Sequence, residues 1–396
     1  MIENQINNEN LLLIFGECIK EHEIFKNFNG TIVYQTDFEY KELAKNFNYI
    51  YVCGDFKKVF CNFEQKKVYL IVDLLYNYSD DLIETKTAVF CILSGQVPLN
   101  YNNLGIYFRN FFNKKNEYFD KISSEHAFQT LTESNKPNNA FRTGLYITNI
   151  INRNANYYFK LLRCSSNFSG PTEQLTRTDC DILEQLNEKI AESFEQPVKL
   201  NHVLAQIYHN QNNKKASIKS HSDKTKDMPK NGIIAFCSFY KFDENHVESY
   251  KNISTMSSLH FKLKKDVLLN NANSKFVDEF SVILHPNSVF MIPLSTNRLY
   301  THEIKPSCAP IQYLPTRMGY VIRCSNQDAV FSNGQTFIIN ETLNDKTKLE
   351  KPTAHEMEVI KSLYLKENTQ SQYPDYSKLK HLSLNNGDFE QPIIRN

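Results

Sequence analysis

The chain reads as an α+β protein built around a sandwich or barrel of short strands. Three features predict this. One well-marked helix, "TDCDILEQLNEKIAESFEQP", carries Ile182, Leu186, Ile190 and Phe194 at four-residue intervals and so presents a single apolar stripe. After it come seven strand-like segments in close succession, "HVLAQIY", "ASIKSHSD", "GIIAFCSFY", "FSVIL", "SVFMIPL", "LYTHEI" and "RMGYVIRCS". Turn residues separate these segments, as in the "HPN" link at 285 to 287, and many short strands at such spacing form a sandwich or barrel.

In chain order, "LLLIF" near the N-terminus is too short, and too closely flanked by acids, for a secretory signal. "YIYVCGDFKKVFCNF" and "KKVYLIVDLLY" read as strands, the first broken by a turn at Gly54–Asp55. "SSEHAFQTLTESNKP" reads as a helix with a serine cap and an Asn–Lys–Pro stop. Within it, Glu125 and His126 read as a helix N-terminal acid beside an ordinary histidine rather than as a metal pair. Thr178 is the expected cap of the next helix and Pro197 its end. Beyond the strands, "TAHEMEVIKSLYL" is a helix with Thr353 and Glu356 as its capping box, followed by a polar tail expected to be mobile. These elements suggest an N-terminal α+β region at 1–145, a strand-rich domain at 146–340, and a helix and tail at 341–396.

At 396 residues the chain exceeds one ordinary domain, and its 41% hydrophobic content suffices for a substantial core. A net charge of +1 excludes any global attraction to nucleic acid or an anionic membrane, so every charge argument is local. No run approaches the ~18 apolar residues of a membrane helix. The nine cysteines form no CxxC pair and are odd in number, which points to reduced thiols in a cytosolic or nuclear protein.

The chemistry lies in "IKSHSDKTKDMP". Residues two apart on a strand share a face, so His221 and Asp223 offer an imidazole and a carboxylate to one divalent ion. "NRLYTHEI" supplies a third ligand, His302, on a later strand. Two histidines and one carboxylate leave three positions of an octahedral ion open, the arrangement of non-haem Fe(II) oxygenases. "TRMGYVIRCS" adds Arg317 and Arg323, six apart and therefore on one face of an apolar strand, where they require anions. A dicarboxylic cosubstrate provides them; a structural salt bridge is the rival reading of Arg317. His246-x-Glu248 lies in a wholly polar loop and is set aside, while His202 and His209 read as strand-end histidines.

The order His221-x-Asp223, His302, Arg317, Arg323 resembles the Fe(II)/2-oxoglutarate-dependent dioxygenases, and within them the AlkB-like branch, over roughly residues 145 to 330. That branch has two arginines six apart on its final strand and an upstream Asn-x-Tyr pair, matched here by Gln206 and Tyr208. Gln206 stands where the family has Asn, and Gly319 where it often has Asn or Ser. The resemblance implies a double-stranded β-helix (jelly-roll) core with flanking helices. It implies Fe(II) held by His221, Asp223 and His302, with O2 as oxidant. It implies 2-oxoglutarate bound by Arg317, Arg323, Tyr208 and Gln206 and converted to succinate and CO2.

For the substrate, six lysines between Lys214 and Lys230 stand against Asp223 and Asp227, a basic segment suited to nucleic acid. Tyr157, Tyr158, Phe239 and Tyr240 are candidates to stack on an extruded base. Three readings stay open: hydroxylation or oxidative demethylation of a nucleobase, hydroxylation of a protein side chain or small molecule, and a catalytically silent binding module. The role of residues 1–145 and the oligomeric state are not encoded in any motif.

Overall fold

Five parallel strands open the chain: Asn10–Phe15, Thr31–Tyr34, Tyr49–Gly54, Lys67–Ile71 and Ala88–Ile92, with the first lying between the second and the third. The computed structural model describes residues 5–15, 22–34, 43–54, 66–74, 88–132, 139–163, 169–211, 213–270, 276–340 and 345–395. Both faces of the parallel sheet are covered. Leu12, Ile14, Tyr51 and Tyr69 pack toward the rest of the molecule, while Leu11, Leu13, Val52 and Leu70 form a core of their own. A strand buried on both faces needs a continuous apolar run, which accounts for "LLLIF". Gly54 has φ +105°, and a Cβ there would fall 1.6 Å from the Phe15 carbonyl oxygen, so only glycine fits. The turn partner Asp55 and the expected strand after it lie outside the described residues.

The largest sheet runs in the order Glu173–Gln174, Asn139–Thr148, His202–Tyr208, Thr316–Arg323, Ile233–Lys241, Ser288–Pro293, Gly105–Phe108, Leu99–Tyr101, with Gln129–Thr132 beside Asn139–Thr148. It draws strands from both sides of residue 145. Facing it is a four-stranded antiparallel sheet, Ile218–His221, Tyr300–Lys305, Ser258–Leu263, Glu279–Ile283. The two-residue period sorts side chains between two layers. Met318, Tyr320 and Ile322, with Val203, Ala205, Ala235 and Cys237, pack against the helices Tyr118–Glu125 and Arg177–Ser193. Ile234, Phe236 and Phe290 pack inward against Leu259, Phe261 and Ile304 of the smaller sheet. A further five-stranded sheet, from Ile150–Arg153 to Asp345–Lys348, was not apparent in the sequence.

The helix Arg177–Ser193 buries Ile182, Leu186 and Ile190, each stabilising the fold by about 1.5–3 kcal/mol. Its cap is Thr176, whose hydroxyl accepts from the Asp179 N–H in a capping box; Thr178 lies inside the helix, and both threonines donate to Glu125. The helix expected from Ser123 onward lies earlier, at Tyr118–Glu125, because Tyr118, Phe119 and Ile122 are the residues that reach the core. Ser123 and Ser124, in its last turn, donate back to the Phe119 and Lys121 carbonyls rather than capping it, and the chain then pairs as the strand Gln129–Thr132. His126 is not an ordinary surface histidine: it is buried between Glu173 and Asp179, at 2.9 and 2.8 Å.

The capping box of Thr353 and Glu356 opens the helix Ala354–Thr369. The tail after it is docked, not mobile. Leu379 and Leu382 form a small core with Ile360, and the Arg395 guanidinium pairs with Glu173 at 2.7 Å. Among the described residues no helix is long and apolar enough to cross a membrane. The six described cysteines are free, with Cys53, Cys237 and Cys324 buried and Cys91, Cys180 and Cys308 exposed.

Candidate metal centre

Strand register brings the two histidines together. Ile218–His221 and Tyr300–Lys305 run antiparallel, with His221 opposite His302, and the ring centroids are 4.5 Å apart. The ladder ends at His221, and two residues on the chain delivers Asp223 to the same point. Asp223 Oδ1 lies 3.8 Å from His221 Nε2 and 4.0 Å from His302 Nε2. One ligand atom from each residue lies within 4.8 Å of the others, close enough for one ion to bridge all three. His302 and Asp223 are buried, whereas the His221 side chain is 33% exposed, so the centre opens to solvent on that side.

The protonation states suit a metal, which needs neutral imidazole and ionised carboxylate. A carbonyl only accepts, so the 2.8 Å contact of His221 Nδ1 with the Lys219 oxygen places the proton on Nδ1 and leaves the Nε2 lone pair facing Asp223. Burial pushes His302 down to about 3, with the His221 imidazole acting in the same direction. Burial likewise lowers His221. Burial works to raise Asp223, but the Arg323 guanidinium and then the two imidazoles outweigh it and hold the carboxyl at about 2. Arg323 grips only Oδ2, through Nε at 2.8 Å and Nη2 at 2.7 Å, so Oδ1 is left for an ion. The residues fit a divalent metal of the His/His/carboxylate class.

Across the larger sheet lies a cation without an anion. Arg317 is 3% exposed; its Nε reaches the Ser238 hydroxyl at 3.3 Å, and its Nη1 has no hydrogen-bond partner. Among the described residues no carboxylate pairs with it. Its guanidinium carbon sits 4.6 Å from the Tyr208 ring centroid, and the Tyr208 hydroxyl donates to Gln206 Oε1 at 3.4 Å. Gly319 makes the room: a Cβ there would stand 3.0 Å from Arg317 Nη2 and 3.2 Å from the Tyr208 ring. A buried guanidinium this poorly compensated is costly unless a ligand completes it, and a carboxylate matches its fork. The residues fit a dicarboxylate cosubstrate as well as a metal. Arg323, by contrast, spends itself on Asp223.

Much of the support for the site was not visible in the sequence. The Asn297 amide bonds both backbone groups of Asp223, and Asn368 accepts from the Ser222 N–H and from Lys224. Glu367 accepts from the Thr225 N–H at 2.8 Å. Arg163 forms a buried ion pair with Asp227 and also donates to the Lys380 and Leu382 carbonyls. The C-terminal helix and tail therefore clasp the 222–227 loop.

The basic segment is divided. Lys215, Lys224 and Lys226 donate to backbone carbonyls, while Lys214, Lys219 and Lys230 are exposed. Of the flanking aromatics, Phe239 points to the helix-covered face and Tyr157 packs on Phe331 in the outer sheet. Tyr158 meets Arg153 and Lys346, far from the ligands in the sheet order. Of the four, only Tyr240 lies opposite Arg317 in register. His209 bonds to Thr143, and His202 is buried against the Tyr146 ring.

No protein-family model matches this chain, and no curated protein matches it. Among solved structures it is similar to that of OsALKBH1, with a TM-score of 0.35 and 10% sequence identity over 56% of this chain and 96% of that one.

Proposed function

We propose that this protein is an Fe(II)- and 2-oxoglutarate-dependent dioxygenase of AlkB-like type on a jelly-roll core, acting on a nucleobase. One observation carries the reading: a buried Arg317 guanidinium with no carboxylate partner among the described residues, on the same strand face as the Arg323 that grips Asp223 of the His221–Asp223–His302 cluster. Either feature alone has a bland explanation. Together they are what a metal chelated by a dicarboxylate needs.

In this reading His221, Asp223 and His302 would hold the ion. Arg323 keeps Asp223 ionised and turned so that Oδ1 faces the metal. Arg317 binds the far carboxylate of 2-oxoglutarate through its fork, the Tyr208 hydroxyl adds a hydrogen bond, and Gln206 holds that hydroxyl in place. Phe236 and Phe261, in ring contact with His302, exclude water from the ligand. When bound, Fe(II), 2-oxoglutarate and O2 supply the oxidation of a substrate C–H bond, with succinate and CO2 as co-products.

Lys214, Lys219 and Lys230, exposed on the segment around His221, favour a polyanionic substrate. The three inward lysines shrink that basic surface and keep a protein side chain or small molecule as the second reading. Purified protein incubated with Fe(II) and 2-oxoglutarate is expected to release succinate, faster with its substrate present. Formaldehyde from a methylated oligonucleotide supports the nucleobase reading, and gain of one oxygen on a peptide supports the second. Absence of Fe(II)-dependent succinate under every addition leaves a binding module.

A further inference from the structure

We infer that Asn297 is a positioning residue that fixes the metal ligand Asp223 relative to His302; this rests on the metal-centre reading above. The reasoning begins with orphaned backbone groups. Cross-strand pairing between Ile218–His221 and Tyr300–Lys305 ends at the His221–His302 pair. Asp223, two residues beyond and buried, has no ladder partner for its N–H or its carbonyl, and buried peptide groups need one. The Asn297 amide serves both. Its Oδ1 accepts from the Asp223 N–H at 2.9 Å, and its Nδ2 donates to the Asp223 carbonyl at 3.1 Å.

The place of Asn297 in the chain turns this bond pair into a device. Asn297 lies on the short helix Leu294–Leu299, which runs directly into the strand Tyr300–Lys305 bearing His302. That helix is buried at Leu294, Thr296 and Asn297, and the Thr296 hydroxyl donates to the Leu104 carbonyl at 2.6 Å. One rigid run of chain therefore carries the second histidine and also dictates where the Asp223 backbone stands. Arg323 sets the rotation of the Asp223 carboxylate, and Asn297 sets its origin. Without Asn297, Arg323 still holds Oδ2 and the Ser222 hydroxyl still donates to the Tyr300 carbonyl at 3.1 Å, but the Asp223 N–H and carbonyl lose the side chain that fixes both of them relative to the His302 strand.

Cobalt(II) alone is the probe, titrated into the metal-free full chain and followed by its d–d absorption. Loss of a group that orients a ligand costs about 10- to 100-fold in metal affinity, and that is the weakening expected for Asn297→Ala in protein shown to be folded by circular dichroism. Thr296→Val is the control. It removes the neighbouring anchor of the same helix without touching Asp223, so it is expected to lower the Tm and leave cobalt affinity within twofold of wild type. If Asn297→Ala does not fold, Asn297→Ser provides the same readout. Cobalt affinity of an Asn297 variant within twofold of wild type overturns the inference, as does equal weakening by Thr296→Val. Wild-type protein that binds no cobalt overturns the metal-centre reading itself, a result distinct from the other two.

Discussion

Replacing Arg317 with methionine separates a cosubstrate residue from a structural one, because the two roles predict opposite signs. The side chain is almost fully buried, has a single hydrogen bond, at 3.3 Å, among the described residues, and rests on the Tyr208 ring. Arg317→Met keeps most of the volume. It forfeits one hydrogen bond worth about 1 kcal/mol and a cation–π contact worth roughly 0.5–2 kcal/mol. It also removes a buried charge with no carboxylate, whose desolvation costs several kcal/mol. The balance leaves the metal-free protein as stable as wild type or more so. Binding of 2-oxoglutarate moves the other way. Stranding its far carboxylate without a guanidinium costs about 3–5 kcal/mol, or roughly two to three and a half powers of ten in affinity. Thermal melting of the metal-free protein and calorimetric titration of 2-oxoglutarate into the Mn(II)-loaded protein read the two quantities separately. A destabilised Arg317→Met protein that still binds 2-oxoglutarate normally would refute the reasoning.

Asp223→Ala is expected to abolish Fe(II)-dependent succinate formation and to destabilise the fold by about 3–5 kcal/mol, since it removes the carboxylate that neutralises the buried Arg323. Adding Arg323→Met should restore stability in urea denaturation but not turnover. Gly319→Ala places a methyl against Arg317 and Tyr208, so 2-oxoglutarate affinity is expected to fall while metal affinity is unchanged; equal titration curves for both ligands would count against the pocket. His126 gives a pH signature. Burial lowers its pKa, but bonds to Asp179 and Glu173 outweigh this and raise it to about 9, above the ~6.5 of an unfolded imidazole. Its contribution, about 3 kcal/mol, is complete below pH ~6.5 and is lost as the pH rises through about 9. The urea midpoint of wild type should fall across that window, and a His126→Gln variant should lack that component of the fall.

What could be read from the residues follows one geometric rule. A strand turns over every two residues, so Gln206 with Tyr208 and Arg317 with Arg323 each declare a shared face without coordinates; Asp223 was expected on one strand face with His221, but it lies two residues past the end of the strand Ile218–His221 and is brought to the histidines by the loop. The strands bearing Gln206, Tyr208, His302, Arg317 and Arg323 stand where the apolar pattern put them, whereas the one expected to run through Asp223 stops at His221. The helix at Tyr118–Glu125 was misplaced because Ser123 looks like a cap, and only packing of Tyr118, Phe119 and Ile122 shows that it lies in the last turn. Thr176 and Thr178 are likewise equivalent locally and both donate to Glu125; Thr176 is the cap because its backbone is extended and its hydroxyl accepts from the Asp179 N–H.

Alternation along the chain thus determined that Arg317 and Arg323, and Gln206 and Tyr208, share a face, and the residue types at 221, 223 and 302 named the ligand set. Only the tertiary structure decided what each meets: Arg323 takes Asp223 one hundred residues away while Arg317 is left without an anion, Asn297 and Asn368 hold the ligand loop, and half the lysines turn inward. The physical reason is that periodicity is a property of neighbouring residues. Pairing of a buried charge or an orphaned amide depends on whichever distant segment the packed sheets bring within 3 Å.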